Sequence, residues 1–190
     1  GVRISGRHDD FLELVNRLSI PVVTGWNAHD VITNDHPFYI GRPGTVGDRA
    51  GNFAVQNADL LFILGSRLNI RQVSYNWKSF ARKAYKIWVE IDELELQKPS
   101  VTADFPVIAN LQSFLPAFLQ AKYPGPTEAH SQWLDWTMVR KAKYPVIQPE
   151  YWRSDKVNPY CFMETLFEKL PENQVIVSAN GSACVTSFQV

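Results

Sequence analysis

The residues of this chain best suited to chemistry are polar groups gathered where apolar runs end. The run Asp59-Leu60-Leu61-Phe62-Ile63-Leu64 breaks at Gly65, and Ser66, Arg67, Asn69 and Arg71 follow at once. A guanidinium presents a planar fork of donors that matches a phosphate or carboxylate, so Arg67 and Arg71 point to an anion. A second run, Tyr85 to Asp92, alternates and then ends in carboxylates. Asp92 stands where an acid meets a ribose hydroxyl in nucleotide-binding sheets, although an acid there also caps the next turn. Upstream, Gly41, Gly44 and Gly47 punctuate a loop before Asp48 opens a short helix. Backbone N–H groups at that helix start suit an anion, Asp48 opposes a second negative charge, and a tight turn needing glycine torsions accounts for the loop equally well. The spacing is not G-x-G-x-x-G and no clear strand precedes it, so the dinucleotide fingerprint fails.

Elements must place these groups. Leu60 to Leu64 is continuously apolar, which is the pattern of an interior strand of a parallel sheet covered on both faces. Further strands are expected at Pro21–Gly25, Tyr85–Asp92, Phe105–Ile108 and Val175–Ser178. Helices are expected where Phe11, Leu14, Val15 and Leu18 share a face behind a cap at Asp9 or Asp10, and at 77–84, 111–120, 131–143 and 160–170. Pro116 makes the middle of the helix at 111–120 suspect. The order is that of an α/β fold: a Rossmann-like parallel sheet flanked by helices, followed by an incomplete second α/β segment. Because the chain opens on a helix and not on a strand, a first strand is expected to be missing. In open sheets of this kind ligands collect beyond the carboxyl ends of the strands, where Gly65, Ser66, Arg67 and Arg71 lie.

Composition removes several functions. The 190 residues carry 19 basic and 19 acidic side chains with no long basic run, so no nucleic-acid partner is expected. Apolar stretches fall short of membrane-spanning length and no charged-then-apolar leader opens the chain, so a soluble, cytoplasmic protein is expected. Cys161 and Cys184 lack metal-ligand spacing, and His8, His29, His36 and His130 form no ligand set, so no zinc site is expected. Lys122 to Thr127 is rich in Pro and Gly and reads as a linker.

Several segments resemble, in register, thiamine-diphosphate-dependent enzymes of the acetolactate synthase type. They are Ile20-Pro21-Val22-Val23, Gly41-Arg42-Pro43-Gly44-Thr45-Val46-Gly47, Ala54 to Leu61, Gly65 to Arg71, and Ile87 to Asp92 with Glu95 and Lys98. The resemblance implies a central Rossmann-like domain over residues 1–122 without its first strand, a linker over 123–130, and the start of the carboxy-terminal cofactor domain over 131–190. It implies that Asn180, Gly181 and Ser182 match a glycine loop lying beside the cofactor's diphosphate. It implies thiamine diphosphate and magnesium in the parent enzyme, a transferase or lyase that decarboxylates a 2-keto acid and joins it to a second carbonyl compound. The Gly-Asp-Gly metal motif, its downstream Asn and the activating glutamate do not occur, so the chain is expected to bind no cofactor and to be non-catalytic alone. Flavin stays open in the parent: the synthase-type loop has His where this chain has Val46 and acids where it has Asn69 and Ile70, whereas Arg67 and Arg71 are kept.

Two other readings stand beside this one. The first is a stand-alone module for FAD or ADP built on Arg67, Arg71 and Asp92. The second is a non-catalytic interaction or structural protein. Such enzymes are dimers or tetramers, so a homo-oligomer is expected. The missing first strand would sit mid-sheet, and Val175–Ser178, from the same chain or a neighbour, is the expected filler.

Overall fold

The computed structural model describes all 190 residues, which divide into two compact units, Gly1–Lys141 and Ala142–Val190. In the first unit the elements run α1 (His8–Leu18), β1 (Val22–Val23), β2 (Tyr39–Gly41), α2 (Arg49–Asn57), β3 (Leu60–Leu64), α3 (Ile70–Val73), β4 (Tyr85–Glu90), α4 (Glu93–Gln97), β5 (Phe105–Ile108), α5 (Leu111–Gln120) and α6 (Glu128–Lys143), whose last turn crosses the division. All strand pairs are parallel, in a two-stranded sheet β1-β2 and a three-stranded sheet β3-β4-β5. This is the expected α/β, Rossmann-like architecture of parallel strands flanked by helices.

Apolar residues on the two faces of the strands build two cores. On one face Phe11, Leu14 and Val15 of α1 and Leu111 and Leu115 of α5 pack with Val89, Phe62 and Leu64. On the other, Val55 of α2 and Ala58 just after it join Phe80, Ala81, Ala84, Trp88 and Val101, with Trp133 of α6 against them. Leu134 and Met138 of α6 cover Ile40, Ala50 and Ala54. Burial of such side chains is the main driving force for the fold, at about 1.5–3 kcal/mol each.

Pro116 sits inside α5 without ending it. Proline has no N–H to offer the carbonyl four residues back, that of Gln112. Arg7 fills the gap, its Nε donating to that carbonyl at 3.1 Å. At the other end of the helix Arg17 donates to the carbonyls of Leu119 and Ala121, so α1 grips both ends of α5.

Several expectations are corrected. β3 is an edge strand with Leu60 exposed, not an interior one, since β4 is its only neighbour. The glycine loop does follow a strand of its own: Tyr39, Ile40 and Gly41 are fully buried, but three residues after the Pro37 turn are too few to show a periodicity. Residues 77–84 are only a 3-10 turn, Trp77–Ser79, and not a helix. The residue before α1 is Arg7 and no side chain caps it; Asp9 and Asp10 lie in its first turn. Val175–Ser178 forms no strand and joins neither sheet, and Val175 and Val177 are 79% and 92% exposed. The same-chain form of the strand-filling expectation therefore fails, because an apolar run becomes a strand only where a partner edge is within reach.

The second unit contains a 3-10 turn at Pro149–Arg153, α7 (Pro159–Lys169) and α8 (Ser182–Gln189). Asn158 caps α7 by accepting from the Tyr160 N–H. The Tyr160 hydroxyl reaches Gln189 Oε1 at 2.6 Å and thereby ties α7 to α8.

Candidate functional site

The polar residues singled out in the sequence fall into two places. Gly44, Gly47, Gly65, Ser66, Arg67, Arg71 and Asp92 belong to the turns that follow β2, β3 and β4. Asn180, Gly181 and Ser182 lie in the second unit, all exposed.

The first group forms a connected rim. β3 ends in Gly65, whose φ of +55° bends the chain and whose N–H donates to Val89 of β4 at 2.9 Å. The Ser66 carbonyl accepts from Trp88 Nε1 at 3.0 Å, and its hydroxyl donates to Gln72 at 3.2 Å. The Arg67 guanidinium stands 3.5 Å from Asp92 and 3.6 Å from Glu95, and Lys98 joins Glu95 at 2.9 Å while donating to the Arg67 carbonyl. Asp92 has a second task, because its carboxylate caps α4 by accepting from Leu94 N–H at 3.0 Å. Arg71, the second residue of α3, donates its N–H to the capping Asn69 side chain and lies over the Trp26 ring, 5.9 Å from its centre.

The glycine loop meets this rim through backbone. Thr45 N–H donates to the Arg71 carbonyl at 2.8 Å. A Cβ on Gly44 would fall 2.4 Å from the same oxygen, and one on Gly47 would fall 2.2 Å from the Arg42 carbonyl. Close backbone approach thus accounts for both glycines. The start of α2 is held by an internal anion: Asp48 Oδ2 accepts from Arg42 N–H at 2.7 Å. Burial pushes the Asp48 carboxyl above its ordinary value, with the Arg42 hydrogen bond and charge pulling the other way. Arg42 is itself buried, its guanidinium donating to the Tyr39 hydroxyl at 3.1 Å and facing Asn34. Lys141 closes the cluster on the carbonyls of Asn34 and Tyr39, both at 2.8 Å, and burial lowers its pKa.

Sequence reasoning missed Trp26, Thr45 and Gln72, which stitch the turns together. Nothing local marks them, since each acts on a residue of another turn. In the second unit Gly181 has φ +86° and Asn180 Oδ1 accepts its N–H at 2.9 Å. α8 then starts at Ser182 with no side chain on its first N–H groups. No group of three or more His, Cys, Asp or Glu side chains is placed to hold a metal ion, and no helix is long and apolar enough to cross a membrane.

Comparison with known proteins agrees with this architecture. Residues 1–118 match the family described as thiamine pyrophosphate enzyme, central domain. The chain is 31% identical over 174 residues to a probable acetolactate synthase large subunit of Methanocaldococcus jannaschii, covering 90% of this chain and 28% of that protein. It is 27% identical over 183 residues to an acetolactate synthase large subunit of Corynebacterium glutamicum, covering 95% and 29% respectively. A Lactococcus lactis acetolactate synthase large subunit is 34% identical over 120 residues, 63% of this chain and 20% of its own. The chain thus spans less than a third of the length of these relatives. With its parallel strands, flanking helices and a family match running from the first residue through most of α5, the chain belongs to the thiamine pyrophosphate enzyme family, as a central domain of the acetolactate synthase type.

Proposed function

We propose that residues 1–122 are the central domain of a thiamine-diphosphate-dependent enzyme that decarboxylates a 2-keto acid and ligates it to a second carbonyl compound, joined through 123–130 to the start of its cofactor domain at 131–190. The match over residues 1–118 carries this reading. Bound thiamine diphosphate supplies the electron sink for loss of carbon dioxide. This chain's part is to bind and to orient. The open N–H groups at the start of α8, behind Asn180 and Gly181, fit a diphosphate. A divalent metal finds no donor set here, so magnesium is assigned to no residue of this chain. The reading assigns no catalytic acid or base to this chain and expects it not to turn over substrate alone.

The rim supports a second role for the central domain, the seating of a nucleotide such as FAD or ADP. Arg71 over Trp26 offers a cation beside an aromatic face, and Arg67 with Asp92 offers a fork for phosphate and an acceptor for a ribose hydroxyl. Gly65 and Ser66 bring backbone close to that ligand, and Gly44 and Gly47 set the facing loop. The same rim would serve a stand-alone nucleotide module.

Calorimetry with FAD, with ADP, and with thiamine diphosphate plus magnesium tests these roles. Saturable flavin or ADP binding that Arg71→Ala weakens at least tenfold supports the rim. Binding of thiamine diphosphate that Gly181→Val abolishes supports the α8 site. Absence of heat with all three refutes both ligand roles and leaves a structural domain. Cytoplasmic residence and self-association belong to the same proposal, and light scattering on the purified chain tests the second.

A further inference from the structure

Helix α6 lies against the first unit along one stripe. Trp133 packs on the core around Trp88, Leu134 and Met138 cover Ile40, Ala50 and Ala54, and Thr137 between them is fully buried. Residues three and four apart share a helix face, so Lys141 is the next member of this stripe. Its polar end is not sent to solvent. The Nζ donates at 2.8 Å to the carbonyls of Asn34 and Tyr39 and stands 5.3 Å from the centre of the Tyr39 ring.

The two residues that accept from Lys141 are also residues whose side chains hold Arg42. The Arg42 guanidinium donates to the Tyr39 hydroxyl at 3.1 Å and faces Asn34 Oδ1 at 3.4 Å. Arg42 is only 4% exposed, so a guanidinium pushed off these partners has no water to turn to. Its main chain then closes the glycine loop: the Arg42 N–H donates to Asp48 Oδ2 and the Arg42 carbonyl accepts from the Asp48 N–H, both at 2.7 Å. Inside the closed loop the Asn52 side chain accepts from the Gly44 N–H at 3.0 Å and donates to the Gly44 carbonyl at 3.1 Å. Hydrogen bonds thus run unbroken from α6 to the loop, through Lys141, Tyr39 with Asn34, Arg42 and Asp48. Tyr39 and Arg42 are buried with little room to shift, so a displacement at one end is passed along.

We propose that α6 braces the glycine loop, with Lys141 as the positioning residue that sets residues 42–48 through Asn34, Tyr39 and Arg42. Without the two hydrogen bonds that Lys141 donates, the carbonyls of Asn34 and Tyr39 move and the hold of Arg42 on Asp48 loosens. The brace stands on hydrogen bonds and burial within the chain. Only its effect on a nucleotide rests on the role proposed for the rim.

Hydrogen exchange on the full chain, expressed as protection factors, tests the brace. Lys141→Met keeps the apolar stem and removes the donors. It should cost the amides of Thr45 and Asp48 at least about tenfold in protection. The amides of Gly65 and Ala109, which donate to carbonyls of β4, should stay within about twofold. Tyr39→Phe removes the hydroxyl held by Arg42 but leaves the carbonyl that accepts from Lys141, and it should loosen the same two loop amides while Met138 in α6 keeps its protection. The double variant should lose no more than the larger of the single losses, because both substitutions cut one path. Native-like protection of the two loop amides in either single variant, equal loss at Gly65 and Ala109, or losses that add in the double variant would overturn the proposal. Calorimetry with ADP gives a separate reading. Weaker binding by Lys141→Met carries the brace through to the rim, whereas no ADP binding by the native chain refutes the rim and leaves the exchange result to decide the brace.

Discussion

The backbone N–H of Thr45 donates to the carbonyl oxygen of Arg71 at 2.8 Å, which ties the glycine loop to the turn after β3 across 26 positions of sequence. The neighbouring Gly44 has φ +146° and leaves 2.4 Å between that oxygen and any Cβ. Gly44→Ala should therefore destabilise the chain by about 1–3 kcal/mol, through backbone strain and a parted loop. Urea denaturation reads the loss, and a change within error of zero would mean that the loop is not held in this way.

Asp92 combines an N-cap with an ion pair, and the two can be separated. Asp92→Ala removes both and should lower stability by about 1 kcal/mol, most of it from the cap. Asp92→Asn keeps an acceptor for Leu94 N–H and should stay within about 0.5 kcal/mol, as expected for a partly exposed ion pair. Nucleotide affinity, where found, should fall in both variants, because a ribose hydroxyl needs the carboxylate. Loss of affinity only in the alanine variant would assign Asp92 to structure alone.

The Asp48 carboxyl should be visible in the pH dependence of stability. Burial raises its folded pKa above the ordinary 3.8. A carboxyl of this kind favours the folded state while protonated, so its contribution is complete below pH 3.8 and is lost as pH rises through the native value. Asp48→Asn retains the acceptor for Arg42 N–H and abolishes the titration. The stability difference, native chain minus variant, should fall with rising pH just above 3.8 and then level off. A difference curve that rises over that range would refute the assignment.

Arg7 and Pro116 should be energetically coupled through the Gln112 carbonyl. Arg7→Ala strands that oxygen when Pro116 is present, but Pro116→Ala restores a helical N–H to it. In a double-mutant cycle, Arg7→Ala should therefore be more damaging in the Pro116 background, with a coupling of about 0.5 kcal/mol or more. Additive effects would show that the guanidinium merely rests on the helix.

What could be read in advance was whatever is encoded in contiguous residues. Leu60–Leu64 and Phe105–Ile108 are short runs bounded by turn formers, and Leu111–Gln120 follows an Asn cap, so their limits were legible. β2 was hidden by its brevity, and α8 by a start at Gly181-Ser182 that lacks a capping side chain. Val175–Ser178 misled because apolar β-branched content reports a preference and not the presence of a partner edge. In the site, the types and spacing of Arg67, Arg71 and Asp92 were legible. The pairing of Arg67 with Asp92, the Arg71–Trp26 contact and the reason for Gly44 were not, because each depends on two turns meeting in space.

The grip of α1 on α5 has a bearing on how the chain is made. Arg7 and Arg17 reach acceptors 105 and 102 residues further along. Contacts of such separation slow folding, since the intervening chain must be ordered before they form. On a ribosome α1 emerges before α5, with its apolar face Phe11, Leu14 and Val15 exposed until α5 has followed. α1 is thus made well ahead of the helix that locks it, and the interval between the two is a time in which its apolar face is open to a wrong partner.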